Sequence, residues 1–210
     1  GFHCDTLEKE FGHSMWVPGP PEVTEQDRQR AMKLISAREL KPVWGWKEPR
    51  TSLFLDLWNK LLPDARFLFV VRHPLLVLDS LSRRTKSKFY EFWKYNKFLR
   101  AWMTYNQECA SFYHRHRDRC MLVALERVVS DPAAFVETLS EWLAFDFSTK
   151  TFRRLYEPGA LTRKATRTLL ASPAVRSASL SFYQQLKDAG EMSRKRELAS
   201  GESFPSVHHD

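Results

Sequence analysis

The chain has 210 residues, enough for one compact domain with a real core, and its 43% hydrophobic content with fifteen phenylalanines excludes wholesale disorder. No run of about 18 apolar residues occurs, so no membrane span is expected in this segment. The formal charge of +8 favours a polyanionic partner, such as a nucleotide or a sulfated or phosphorylated sugar, although solvated lysines and arginines spread over the surface give the same total.

In chain order, residues 1 to 23 hold Gly12, Pro18, Gly19, Pro20 and Pro21 without sustained periodicity, which predicts a loop or the remnant of a preceding element. Thr24 is a candidate N-cap for a helix over "TEQDRQRAMKLISAREL", with Met32, Leu34, Ile35 and Leu40 as its narrow apolar face. "PVWGWK" is a short apolar run ending in Lys47, the pattern of a strand. It feeds a helix in "EPRTSLFLDLWNKLLP" that Thr51 or Ser52 caps and Pro63 ends.

"ARFLFVVR" is a continuous apolar run of strand length, which predicts a strand covered on both faces, and Pro74 opens the helix behind it. From Lys88 to Arg117, Phe89, Phe92, Trp93, Leu99, Trp102, Met103, Ala110 and Tyr113 recur at three- and four-residue steps, giving a long amphipathic helix. "CMLVAL" is a third strand. Asp131 and Pro132 then start a helix over "SDPAAFVETLSEWLAF", and a last helix begins near Pro173 and stops before Gly190. The expected organisation is a single domain over residues 1–190 with a polar tail over 191–210.

Strands alternating with helices imply an α/β protein with an open, mostly parallel sheet, and ligands of such sheets sit at the carboxyl ends of the strands. Lys47 and Arg72 fall at such ends. The start of the helix behind Arg72 offers free backbone N–H groups and a partial positive charge; Arg72 adds a fork of donors, and Ser80 a hydroxyl. The alternative is an arginine paired with a core carboxylate and a serine facing water. Lys47 is either a cation placed to offset charge on a leaving group or a member of a surface arrangement with Glu48, Arg50 and Asp56.

The residues "WGWKEPRTSLFLDLWNKLLPDARFLFVVRHPLLVLDSLSRR", then "WMTYNQ", then "LERVVSDP", together resemble the sulfotransferase family that uses 3′-phosphoadenosine 5′-phosphosulfate (PAPS). The bacterial-type pattern, a K(D/E)PR strand end ahead of a strand closing in RHP or RDP with a serine eight residues after the arginine, is met by Lys47, Arg72 and Ser80. The resemblance covers Val43 to Pro132. It implies a three-layer α/β/α fold related to the P-loop NTPases, with PAPS across the strand ends. Arg72 and Ser80 would hold the 3′-phosphate, and Lys47 would lie near the bridging oxygen of the phosphosulfate, where charge collects during in-line transfer. No metal is required by that chemistry.

Departures from the pattern bear on function. The family's N-terminal phosphosulfate loop, a Gly- and Ser/Thr-rich turn after the first strand, has no counterpart before Lys47. Either the chain, which begins at Gly1 rather than Met, is a piece of a longer protein and a poor enzyme alone, or it is a degenerate relative. The place of the histidine base of hormone-type members is taken by Pro49. The candidate base is Glu48, a residue in the segment with Asp5, Glu8 and Glu10, or a residue not present in this chain. Leu125, Glu126 and Arg127 stand where relatives often have Tyr-Glu-Asp. "FRRLYEPGALTRK" resembles the basic segment that closes over the nucleotide, which makes Arg154, Arg163 and Lys164 candidate cofactor contacts.

Cys4, Cys109 and Cys120 have neither disulfide parity nor ligand spacing. His114 and His116 between Arg115 and Arg117 read as a solvated helix end more readily than as a metal or nucleic-acid patch, given no third ligand and no basic stripe. Trp44, Trp46, Trp58, Trp93, Trp102 and Trp142 are core residues or the lining of an acceptor pocket. The expected function is sulfuryl transfer from PAPS to a hydroxyl or amine of a glycan or small molecule. The alternatives are a catalytically silent nucleotide- or polyanion-binding module of the same fold, and a nucleotide kinase. A bacterial member would be cytoplasmic and a eukaryotic glycan-type member would work in the Golgi lumen.

Overall fold

The computed structural model describes residues 2–12, 17–84, 91–155 and 171–200. Over these the chain is a helix-rich α/β protein with a small parallel sheet. The strands β1 (Phe67–Val71) and β2 (Cys120–Ala124) are the second and third predicted runs, and they pair with Phe67 opposite Cys120 and Val71 opposite Ala124. Aromatic and β-branched residues suit both to a pleated, packed surface.

Burial alternates along β1. Phe69 and Val71 are buried, whereas Leu68 and Val70 are 37% and 47% exposed. Cover on both faces, predicted from the unbroken apolar run, is therefore not met among the described residues. The covered face packs on α5 (Glu91–Arg115) and α9 (Pro173–Ser200) through Trp102, Phe112, Tyr183 and Leu186. Each fully buried side chain of this kind contributes about 1.5–3 kcal/mol.

The predicted "PVWGWK" strand is not met: residues 44–48 pair with no strand among the described residues. The reason is sideways tethering. The Trp46 indole donates to Thr51 Oγ1 at 2.9 Å, and Trp46 packs on both Trp44 and Trp58. The segment is thus held against its own downstream turn. That turn, a 3₁₀ stretch over Pro49–Phe54, is capped by Glu48 rather than by Thr51 or Ser52, and runs into α3 (Leu55–Leu61), which stops ahead of Pro63.

Upstream, within the residues expected as loop or as the remnant of a preceding element, lies a helix, α1 (Phe2–Phe11), whose buried Phe2 and Leu7 pack with Ala31 and Ile35 of α2 (Glu25–Ser36). Thr24 caps α2 in a reciprocal pair with Asp27, but the helix ends at Ser36, so Leu40 is 91% exposed and Met32 also faces water. α4 (Pro74–Arg84) opens at Pro74, and α7 (Pro132–Leu143) opens at Pro132 behind the Asp131 cap, as the sequence predicts. Between β2 and α7 lies α6 (Leu125–Ser130), and α8 (Thr149–Leu155) follows α7.

Gly190 does not end the last helix, which continues to Ser200, ten residues into the stretch predicted as polar tail. A Cβ at Gly190 would stand 2.5 Å from the Leu122 carbonyl oxygen. The glycine serves close approach of α9 to β2, not termination.

Candidate active site

β1 ends at Val71, and Arg72 and His73 lead straight into α4. The fixed φ of Pro74 suits a first helical position, and the His73 carbonyl accepts from the N–H groups of Leu76 and Val77. Arg72 and Ser80 are both half-buried and belong to this single strand–helix unit, Ser80 lying two turns into α4.

The adjoining strand brings a carboxylate to the same junction. Glu126, at the start of α6, accepts the His73 backbone N–H at 3.2 Å on Oε1 and the Tyr183 hydroxyl at 2.6 Å on Oε2. The His73 ring meets Tyr183 edge-on at 5.1 Å, and Lys187 Nζ lies 5.9 Å from the centre of the Tyr183 ring. Burial lowers the His73 pKa, Glu126 opposes this, and Lys187 adds to it, so the ring is neutral at pH 7. Its Nδ1 is buried with no hydrogen-bond partner among the described residues. Burial and the bond to Glu126 push the Tyr183 hydroxyl well above the ordinary phenol range.

Lys47 is exposed, one residue before the half-buried Glu48. Glu48 Oε1 accepts the Arg50 backbone N–H at 3.1 Å and Nε at 2.8 Å, and Oε2 accepts an Arg50 terminal nitrogen at 3.1 Å. Burial alone would raise this carboxyl, but the Arg50 hydrogen bonds and charge outweigh it and hold Glu48 below the usual carboxylate range. Beside it, burial lowers His3 to about 4, with Glu48 pulling the other way, and Nε2 of His3 accepts the Trp58 indole N–H at 3.0 Å. Tyr105 of α5 feels the charges of Arg50 and Glu48, and burial raises its pKa.

These two regions meet on one helix. Trp102 of α5 lies 6.3 Å from the Tyr183 ring. Tyr105, three residues on and so on the same face, about 4.5 Å along the axis, couples to Glu48 and Arg50. Tyr183, which bonds Glu126 beside the Arg72–His73 turn, thus packs on α5 about one turn from Tyr105.

Other predicted residues fall elsewhere. Arg154 is exposed on α8, while Arg163 and Lys164 lie outside the described residues. Asp5 pairs with Arg30 at 2.7 Å, Glu10 accepts the Glu22 N–H, and Glu8 is exposed on α1. His114 Nδ1 is 2.9 Å from an Arg117 nitrogen and His116 packs on Phe112, in line with a helix-end role; among the described residues no group of His, Cys, Asp or Glu could hold a metal. His3 and Tyr183 are not among the residues that the sequence singles out. No local signal marks either one: their partners Trp58 and Glu126 are 55 and 57 residues away.

The chain belongs to the sulfotransferase family, whose sequence profile matches residues 5–149. It is similar, at 28% identity over 123 residues, to a Caenorhabditis elegans protein described as "Putative protein-tyrosine sulfotransferase". The match takes in 55% of this chain and 45% of that relative, so the chain spans less than half of its length. No solved structure matches.

Proposed function

We propose that this chain carries part of the machinery for sulfuryl transfer from PAPS to a hydroxyl or amine of a small molecule or carbohydrate, within a three-layer, P-loop-related fold. Bound PAPS supplies a sulfuryl group attached to a phosphate leaving group. The donors at the β1–α4 junction suit its 3′-phosphate: the Arg72 guanidinium provides a planar fork, Ser80 a hydroxyl, and α4 the positive end of its dipole. Glu126 takes the His73 N–H and fixes the junction from the sheet side. Lys47, exposed one residue ahead of Glu48, is suited to neutralise negative charge gathering on the leaving oxygen.

The acceptor O–S bond forms as the bridging O–S bond breaks. The electron pair of the broken bond stays on the phosphate oxygen, and the acceptor proton passes to a base. Glu48 is ionised at neutral pH and adjoins Lys47, which suits it to that proton, provided that it turns from Arg50. The observation that supports the reading is the β1–α4 junction itself, where Arg72 precedes the helix that carries Ser80 and the His73 N–H is held by Glu126 from the end of the paired strand. Arg50's hold on both Glu48 oxygens favours a second reading, a silent binding module.

Titration calorimetry with 3′-phosphoadenosine 5′-phosphate and with ADP tests the donor site. Preference for the 3′-phosphorylated nucleotide, erased in Arg72→Ala, is expected; equal binding of the two ligands would remove the proposal. Transfer of labelled sulfuryl from PAPS to an acceptor separates enzyme from silent module.

A further inference from the structure

The parallel ladder stops at Val71 and Ala124, which face each other at the carboxyl ends of β1 and β2. Continued in register, the two chains bring Glu126 beside His73, and the carboxylate takes the place of a ladder carbonyl: Oε1 accepts the His73 N–H at 3.2 Å. That N–H belongs to the peptide joining Arg72 to His73. Because a peptide is planar, fixing the direction of its N–H fixes the whole plane, and with it the backbone rotation that leads out of Arg72. On the far side Pro74 disfavours a helical His73, and the His73 carbonyl is bound into the first turn of α4.

Glu126 is itself exposed at the start of α6, where a glutamate has several staggered conformations open to it. Its second oxygen selects one of them, since Oε2 accepts the Tyr183 hydroxyl at 2.6 Å. Tyr183 is the fixed end of this chain of bonds. It is 6% exposed and sits in the core cluster with Leu122 and Leu186. Its ring meets Trp102 of α5 at 6.3 Å and the His73 ring at 5.1 Å, both edge-on. Burial and the bond to Glu126 raise its pKa above the ordinary phenol value, so the hydroxyl keeps its proton and donates throughout the neutral range.

We infer that Tyr183 is a positioning residue for the 3′-phosphate site: acting through Glu126, it sets the Arg72–His73 peptide and so the place of Arg72 ahead of α4. This rests on the sulfuryl-transfer reading, in which Arg72 takes that phosphate. Charge and position make opposite demands of Glu126. A carboxylate near an anion site repels the anion, so by charge alone its removal tightens nucleotide binding. A carboxylate that holds the Arg72–His73 peptide does the reverse: its removal weakens binding, and only for the nucleotide whose 3′-phosphate meets Arg72.

Calorimetry of the chain with 3′-phosphoadenosine 5′-phosphate and with ADP gives the ratio of the two affinities, which a general loss of stability leaves unchanged because it weakens both ligands alike. Expected is a fall in that ratio of about tenfold in Tyr183→Phe and in Glu126→Ala. Glu126→Gln restores it, because the amide oxygen accepts the His73 N–H and the amide nitrogen donates to the Tyr183 oxygen. Glu126 being exposed, its two variants carry the test if Tyr183→Phe does not fold. An unchanged ratio in folded Tyr183→Phe or in Glu126→Ala overturns the assignment. So does tighter binding of the 3′-phosphorylated nucleotide in Glu126→Ala, or a Glu126→Gln no better than Glu126→Ala. If the unsubstituted chain prefers the 3′-phosphorylated nucleotide and the variants keep that preference, the positioning role alone falls. If the unsubstituted chain has no such preference, the 3′-phosphate reading falls and takes the positioning role with it.

Discussion

His3 and Glu126 are the two side chains on which the site's electrostatics turn. Burial holds His3 near 4 in the folded chain, against 6.5 when free. Between those pH values the unfolded chain takes up a proton that the folded chain refuses. Stability is therefore full above about pH 6.5 and falls as pH drops toward 4, by up to about 3 kcal/mol. Urea unfolding at several pH values should show this decline, and His3→Phe should flatten it; parallel curves for the two proteins would refute the assignment. Glu126 binds the Tyr183 hydroxyl at 2.6 Å, a hydrogen bond to a charged acceptor. Tyr183→Phe should cost about 1.5–3 kcal/mol in the same measurement.

At the scale of elements, caps and apolar spacing explain where helices begin, and close packing explains where they do not end. Thr24 with Asp27, and Asp131 with Pro132, start α2 and α7 as their sequences indicate. Gly190 lies inside α9 because the helix axis runs against the main chain of β2. Helix propensity alone would make Gly190→Ala stabilising by up to about 1 kcal/mol. The opposite is expected: a Cβ 2.5 Å from the Leu122 oxygen forces helix and strand apart, a destabilisation of about 1–3 kcal/mol. Gly45→Ala, where nothing stands within 4 Å, is the control for a substitution without overpacking.

For the molecule as a whole, the charge of +8 and an isoelectric point near 9.5 set a positive field that draws anions and weakens with salt. A nucleotide that binds the folded chain alone must raise its melting temperature. Any ligand at one hundred times its dissociation constant stabilises by about 2.7 kcal/mol, for a chain of this size a rise of about 5–10 °C, and this is the shift expected of 3′-phosphoadenosine 5′-phosphate under the proposed function. A thermal melt with this ligand and with ADP reads the difference, and equal shifts would argue against a site for the 3′-phosphate. The unevenly covered sheet belongs to this scale too: α5 and α9 enclose the Phe69 side, while Leu68 and Val70 on the other side meet water.

Most of the local architecture was legible from residue order. The two strands are runs of apolar residues of strand length, α5 is a three- and four-residue apolar repeat, and Asp131 and Pro132 announce α7, because each of these rests on contacts within a few residues. So did the family resemblance, which depends on the order of Lys47, Arg72 and Ser80 along the chain. The tertiary structure alone decided that "PVWGWK" folds sideways into an aromatic wall, that Phe2 begins a helix, and that Gly190 is an approach point. It alone joined Tyr183 to Glu126 and His3 to Trp58. Each of those depends on a partner that packing brings from elsewhere in the chain, and the energy that selects it comes from burial and hydrogen bonding between segments, which local residue patterns do not encode.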